Sequence, residues 1–179
     1  MANEPKVIPV DTPEGKYLNR IHDLARHVRG SFMEQAIWID VLVADILAQY
    51  FAPDEDKRAL LISEVLTGQG STFSRNINTL RKVVSRSYAS FSEEYPDFFS
   101  QLEKIRKFRN RLAHAHLDTS DKFIAEGHED RIRIVFYEDG IAKTQVITVE
   151  DSNKRLGESS AVLSQLLKLQ ALVTAASTT

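Results

Sequence analysis

The chain contains no cysteine, which excludes disulfide bonds, thiol catalysis and thiolate metal sites. No apolar run approaches the roughly 18 residues that suggest a membrane span, and the first residues lack the apolar segment of a secretory signal. Neither a phosphate-binding loop nor a Gly-x-Ser-x-Gly nucleophile motif is present. These absences predict a cytoplasmic protein that has no membrane partner and needs no cofactor.

The remaining composition is that of an ordinary globular domain. Hydrophobic residues make up 42% and charged residues 27% of the 179 residues. A chain of this length can form a substantial core but is short for two domains. We predict a loose N-terminal tail over residues 1–11 and a single domain over residues 12–179.

Charge is distributed unevenly along the chain, although the net charge is only −2. Residues 65–116 carry nine basic and four acidic side chains, and no carboxylate lies between Glu64 and Glu93. A basic surface on an otherwise acidic protein can attract a polyanion. The alternative interpretation is that these charged side chains only form the solvent-exposed faces of helices.

The first 50 residues predict a long helix. Thr12 followed by Pro13 is typical of a helix start, and Ala52-Pro53 is typical of a helix end. Gly30 leaves open whether the segment is one helix or two in line. Apolar residues recur between these limits at helical spacing: Leu18, Ile21, Ala25, Val28, Phe32, Ala36, Ile39, Val43, Ile46 and Tyr50.

Three more helices are predicted before residue 118. A short one ends near Gly68, where a glycine is a common helix stop. The next begins at Ser71 or Thr72, either of which can serve as its N-cap. The last of the three covers residues 98 to about 117.

The periodicity then changes from helical to alternating. Apolar and polar residues alternate over 131–137, and residues 144–149 are rich in β-branched side chains. The sequence between them, Glu138-Asp139-Gly140, is typical of a turn. We predict a β-hairpin over about 131–149, followed by a helix over about 152–175. Because an isolated hairpin is only marginally stable, it should lie against the helices or a second chain.

The register of this hairpin depends on the length of its loop. A three-residue loop pairs Ile132 with Val146, whereas a two-residue Asp-Gly loop places Ile134 opposite Gln145. We favour the longer loop.

Residues 109–114, Arg-Asn-Arg-Leu-Ala-His, carry the strongest functional signal, and His116 follows two residues later. An arginine keeps its charge near neutral pH and offers a planar fork of donors that suits phosphate. A histidine can take and give a proton near pH 7. Together these side chains are the parts that metal-free phosphodiester cleavage requires.

This motif and its helical setting resemble the HEPN superfamily, whose signature is Arg-x4-6-His, often with asparagine directly after the arginine. Arg109, Asn110 and His114 match that form, and the order of helices agrees over roughly residues 15–117. The resemblance implies a mainly α fold, an antiparallel helical bundle, to which the hairpin and the last helix are additions. It also implies a metal-independent endoribonuclease of toxin or antiphage-defence type that works as a homodimer.

The resemblance further implies a role for each motif residue. His114 would take the proton of a ribose 2′-hydroxyl, which then attacks the adjacent phosphorus and leaves a 2′,3′-cyclic phosphate. Arg109 would stabilise the charge of the transition state, and Asn110 would orient the histidine or the phosphate. RNA is required because DNA lacks the 2′-hydroxyl. We expect the neighbouring cations to bind this substrate: Arg106, Lys107 and Arg111.

Helical phase complicates this assignment. On an ideal helix, Arg109 and His114 are about 140° apart, so they cannot converge on one phosphate by helix geometry alone. Either the helix ends or distorts before His114, or a second chain completes the site.

Other assignments stay open. Arg109 falls within an apolar stripe, where an unpaired charge is costly, so it could instead pair with an acidic residue of the first helix: Glu34, Asp40 or Asp45. Arg109 and His116 could also be only the solvated end of that stripe. His116 is the alternative base, because Arg109-x6-His116 and Arg111-x4-His116 fit the family spacing too.

The alternative function is a non-catalytic nucleotide- or RNA-binding module, or a partner of a nucleotidyltransferase or an antitoxin. No metal site is predicted. His22 and His27 do not share a helix face, and His114 and His116 are a poor chelating pair. The sequence leaves open the RNA specificity, the dimer surface and the biological trigger.

Overall fold

A computed structural model of the protein describes residues 9–52, 54–68 and 72–177. The protein is mainly helical, with a β-hairpin and a long C-terminal helix, as the sequence predicted. A short third strand, which was not predicted, pairs with the first strand of the hairpin and completes a small antiparallel sheet. Most of the predicted N-terminal tail, residues 1–8, lies outside the described residues. The elements of the fold are α1 (Pro13–Phe51), α2 (Glu55–Leu60) with a π-helical continuation (Leu61–Leu66), α3 (Phe73–Ser87), α4 (Ala89–Glu94), α5 (Phe98–His114), β1 (His116–Leu117), α6 (Asp121–Ala125), β2 (Arg131–Glu138), β3 (Ile141–Thr148) and α7 (Val149–Ser177).

Helix α1 is one continuous helix of 39 residues. The Thr12 side chain caps it by accepting a hydrogen bond of 3.1 Å from the backbone N–H of Gly15, as predicted. Gly30 lies within the helix and does not break it. The apolar stripe predicted from the sequence forms the core: Ile21, Val28, Phe32, Ala36, Ile39, Val43 and Ile46 are buried.

Helix α3 starts where the sequence places it, whereas the short helix α4 was not predicted. The Thr72 side chain caps α3 by accepting a hydrogen bond of 3.2 Å from the N–H of Arg75; the other predicted cap, Ser71, lies outside the described residues. In the described part of the chain, no helix combines the length and the apolar character needed to cross a membrane.

Helix α5 runs antiparallel to α1 and is held to it at its C-terminal half. The rings of Phe32 and Phe108 meet edge to face, with centroids 4.6 Å apart. The Arg29 guanidinium donates a hydrogen bond of 2.9 Å to the carbonyl of Ala115, at the end of α5. The helix ends at His114, earlier than the predicted residue 117, because Ala115 is extended and the next residues join the sheet.

Helix α7, which the sequence predicted as an addition to the bundle, runs parallel to α1. It forms the most extensive helix–helix contact in the described structure. Side-chain hydrogen bonds join the two helices at a constant separation of 125 residues: Gln35 with Ser160, Asp45 with Gln170, and Gln49 with Thr174.

The hairpin exists where it was predicted, but the favoured register was wrong. Ile134 pairs with Gln145, as a two-residue loop requires. Asp139 and Gly140 form this loop with φ angles of 53° and 76°, which match the right-handed twist of the strands. The hairpin packs against the helices through its buried side chains: Ile132, Ile134, Phe136 and Ile147.

An ion pair fixes the chain between α5 and the hairpin. The Arg133 guanidinium on β2 lies 2.6 Å from the Asp118 carboxylate and stacks over the buried Phe123 ring, 4.5 Å from its centroid. Although burial raises the pKa of Asp118, hydrogen bonds from Ser120 and Arg133 hold that pKa below its ordinary value. The hairpin is therefore positioned firmly beside the C-terminal end of α5.

Candidate functional site

One face of α5 and the tip of the hairpin enclose a cleft of about 240 Å³, which we call the motif cleft. Helical spacing places five α5 residues on this face, since positions three, four and seven apart lie in line. On α5 the cleft is lined by Arg106, Lys107, Asn110, Arg111 and His114, and on the hairpin by Phe136, Tyr137 and Glu138. All three predicted substrate-binding cations thus lie together with two of the predicted catalytic residues.

The cations of the motif cleft differ in how firmly they are held. Arg106 forms an ion pair of 2.9 Å with Glu103, one turn earlier on the same helix. Arg111 lies 3.6 Å from Glu138 and over the ring of Phe136. Lys107 is exposed and has no ion pair within the described residues. It is therefore the cation most readily available to an incoming anion.

His114 and Asn110 face the cleft from the last turn of α5. His114 is exposed, at the point where the helix ends. The side-chain oxygen of Asn110 accepts a hydrogen bond of 3.1 Å from the guanidinium of Arg109. Asn110 thus connects the motif cleft with the arginine beside it.

Arg109 itself does not line the motif cleft. The helix continues without distortion to His114, so the angular separation expected on an ideal helix is retained. Arg109 is half-buried on the flank that faces α1, where its charge acts on Asp40. Burial raises the pKa of Asp40, and the positive charge of Arg109 opposes that rise.

Of the three acidic residues expected as partners, Asp40 has the charge of Arg109 in its electrostatic environment. Asp45 instead accepts hydrogen bonds from Gln49 and Gln170. No ion pair of Arg109 occurs in residues 9–52, 54–68 and 72–177. The arginine therefore has an acidic neighbour but no ion-pair partner among the described residues.

His116, the alternative base, lines a different cleft of about 330 Å³ between α1 and β1. We call it the α1 cleft. Its other charged and titratable side chains are His22, Arg26 and Arg29, with Ala25, Ala115 and Leu117 between them. The sequence prediction missed this cluster, although residues 22, 26 and 29 have the spacing of one helix face.

The motif cleft also contains a carboxylate that the sequence did not assign to the site. A hydrogen bond from Lys143, together with its charge, holds the pKa of Glu138 below the ordinary value. Glu138 is therefore ionised at neutral pH and competes with any anion for Arg111. Tyr137, beside it, is 68% exposed, so the sequence missed an aromatic surface as well.

No protein-family model, no curated protein and no solved structure matches the chain. In the ranges that the structure describes, no three histidine, aspartate or glutamate side chains are grouped so as to hold a metal ion.

Proposed function

We propose that the protein is a HEPN-like, metal-independent endoribonuclease that acts as a homodimer in a toxin or antiphage-defence role. The observation that supports this function is the motif cleft, which gathers Lys107, Arg111, Asn110 and His114 on an acidic protein. Together with Arg106, these side chains give the cleft three fixed positive charges that attract a polyanion, and a histidine beside them can transfer a proton at neutral pH.

In this proposal, His114 removes the proton of a ribose 2′-hydroxyl. The freed oxygen attacks the adjacent phosphorus, and the bond from phosphorus to the 5′-oxygen of the next nucleotide breaks. The products are a 2′,3′-cyclic phosphate and a 5′-hydroxyl, whose proton comes from water or from a protonated histidine. Arg109 and the cleft cations offset the negative charge that builds on the phosphate oxygens.

The tip of the hairpin adds a contact for the bases. Tyr137 is an exposed aromatic ring on the rim of the cleft. Base–aromatic stacking contributes about 1–3 kcal/mol per base and tolerates any sequence. Stacking on Tyr137 would fix a nucleotide whose phosphate lies on Lys107 and Arg111.

A second copy of the chain supplies what one copy lacks. Arg109 lies on the α1-facing flank, apart from His114. Near it, α1 exposes an apolar strip next to Asp40 in the helix: Ile37, Trp38 and Val41 are each half or more exposed. Such a strip is typical of a protein interface, and a partner seated there would cover Arg109 and bring its own motif residues close.

A cleavage assay in EDTA tests the function. We expect wild-type protein to cut single-stranded RNA and leave cyclic phosphate ends. We expect His114→Ala to lower the rate by about 10²–10⁴ and Arg109→Ala by about 10²–10³, with unchanged thermal unfolding. His27→Ala, which alters an exposed histidine elsewhere, is the matched control. Full activity of both motif variants would overturn the assignment.

The separation of Arg109 from His114 favours one alternative, a non-catalytic RNA- or nucleotide-binding module. Such a module could partner a nucleotidyltransferase or an antitoxin. It would bind RNA through the motif cleft without releasing cyclic phosphate ends. Salt-dependent binding of RNA that stays intact over long incubation would support it against the nuclease.

A further inference from the structure

The α1 cleft has the chemistry of a phosphate-binding surface. His22, Arg26 and Arg29 project from one face of α1, and His116 faces them from β1. No carboxylate is among the residues that line it. Arg26 pairs with Asp23 at 3.1 Å, but both side chains are more than 70% exposed, so water screens this pair and it contributes little.

The α1 cleft and the motif cleft meet at the end of α5. His114, the last residue of the helix, lines one of them, and His116, the first residue of β1, lines the other. Between them, Ala115 is buried, and its carbonyl is held by Arg29. The junction is thus anchored, and one cleft lies on each side of it in the chain.

We propose that the α1 cleft binds phosphate groups of the same RNA strand that enters the motif cleft. This inference rests on the proposed function, since it extends the path of its substrate. His116 then serves as a strand-binding residue and not as a second base. An extended strand crosses from Lys107 and Arg111, over the α5–β1 junction, to Arg26 and Arg29.

The test measures binding to His22→Ala/Arg26→Ala protein. Arg29 stays unchanged because its hydrogen bond to Ala115 supports the fold. The probes are labelled single-stranded DNA oligonucleotides of about 4 and about 16 nucleotides. They cannot be cleaved through a 2′-hydroxyl and present the same phosphates. The matched control is Arg20→Ala/His27→Ala, which removes the same residue types from the opposite side of α1.

We expect the His22→Ala/Arg26→Ala protein to bind the long oligonucleotide at least several-fold more weakly and the short one unchanged. The slope of log affinity against log salt for the long probe should fall by about 0.7 for each phosphate that the variant protein no longer neutralises. The control should bind both probes like wild type. Equal affinities of variant and wild type for the long probe, equal decreases in affinity for both probes, or no binding by wild type would each overturn the proposal.

If the proposed cleavage mechanism is wrong, the same measurements give a different pattern of results. Suppose that wild type leaves RNA intact while the His22→Ala/Arg26→Ala protein still binds the long probe more weakly. The phosphate-binding role of the α1 cleft is then supported and the cleavage mechanism is contradicted. If RNA is cleaved with cyclic phosphate ends and the same variant binds the long probe like wild type, the cleavage mechanism is supported and the phosphate-binding role of the α1 cleft is contradicted.

Discussion

Among single residues, Glu138 has the clearest effect on the motif cleft. Its carboxylate lies within reach of Arg111, and Lys143 lowers its pKa below the ordinary value. The cleft therefore presents less positive charge than its three cations suggest, and Glu138 limits how tightly it holds a phosphate.

Glu138→Gln should bind single-stranded RNA several-fold more tightly at low salt, because Arg111 loses its competing anion. Fluorescence anisotropy with cleavage blocked by His114→Ala measures the affinity. Asp139→Asn is the control, because it removes one negative charge from the adjacent residue, which does not line the cleft. Asparagine tolerates the positive φ at that position. An equal gain in RNA affinity from both variants would mean that the affinity depends only on net charge and not on the contact between Glu138 and Arg111.

Asp40 is a residue whose ionisation opposes folding. Its pKa is raised in the folded protein by burial, so the folded state binds its proton more tightly than the unfolded state does. Stability is therefore lost as pH rises through the window between the unfolded and the higher folded pKa, and it stays lost above that window.

Asp40→Asn should accordingly be more stable than wild type at neutral pH, with a gain that shrinks as the pH falls from the folded to the unfolded pKa of Asp40. Urea unfolding across that range measures it. Glu34→Gln, on an exposed position of the same helix, corrects for the loss of one negative charge. A gain that grows at low pH would contradict the burial explanation.

At the level of elements, α7 is an integral part of the core, although the resemblance describes it as an addition. Its buried side chains meet α1 over most of its length: Val162, Leu166, Leu169 and Val173. The exposed neighbour of one of them provides a direct comparison, since Leu166 is 0% and Leu167 56% exposed.

Leu166→Ala should lower the free energy of unfolding by about 2–5 kcal/mol, the usual cost of a cavity in a core. Leu167→Ala should change it by less than about 0.5 kcal/mol. Chemical denaturation of the two variants gives both values. Similar decreases in the two variants would show that α7 does not pack in the orientation described.

Local signals account for what the sequence predicted well. The cap at Thr12, the apolar stripe of α1 and the Asp139-Gly140 turn are set by nearby residues, and each element was found. The pairing of apolar Ile132 with Val146 favours a three-residue loop, but the twist of an Asp-Gly turn decides the register.

Long-range relations could not be predicted in the same way. Helical periodicity gives the buried face of α7 but not its direction relative to α1. The candidate site shows the same division: residues 106–114 were identified from their chemistry, whereas Tyr137 and Glu138 join them only through the docking of the hairpin. His22, Arg26 and Arg29 are regularly spaced, but their relation to His116 depends on the antiparallel packing of α5 on α1.

For the whole molecule, the separation of Arg109 and His114 means that the proposed catalytic site depends on the oligomeric state. In a two-fold dimer, the Arg109 of one copy and the His114 of the other can form one site, and symmetry then creates two such sites. Single inactive variants distinguish this arrangement from a site within one chain.

Arg109→Ala and His114→Ala proteins, each inactive alone, should together regain about a quarter of wild-type cleavage after mixing and subunit exchange. The reason is that half of the dimers are mixed and each mixed dimer has one intact site. Refolding the variants together and measuring RNA cleavage tests this. Size-exclusion chromatography with light scattering confirms that the refolded mixture is dimeric. No recovery in mixed dimers would place both residues in one chain's site.

The parallel course of α1 and α7 also determines the span of the molecule. With the constant offset of 125 residues, residue 177 is level with residue 52, at the far end of α1. Residue 13 lies a full helix length away, roughly 60 Å for a helix of this size. Two labels placed at residues 13 and 177 would therefore report the length of α1 directly, and any bend at Gly30 would shorten the distance between them.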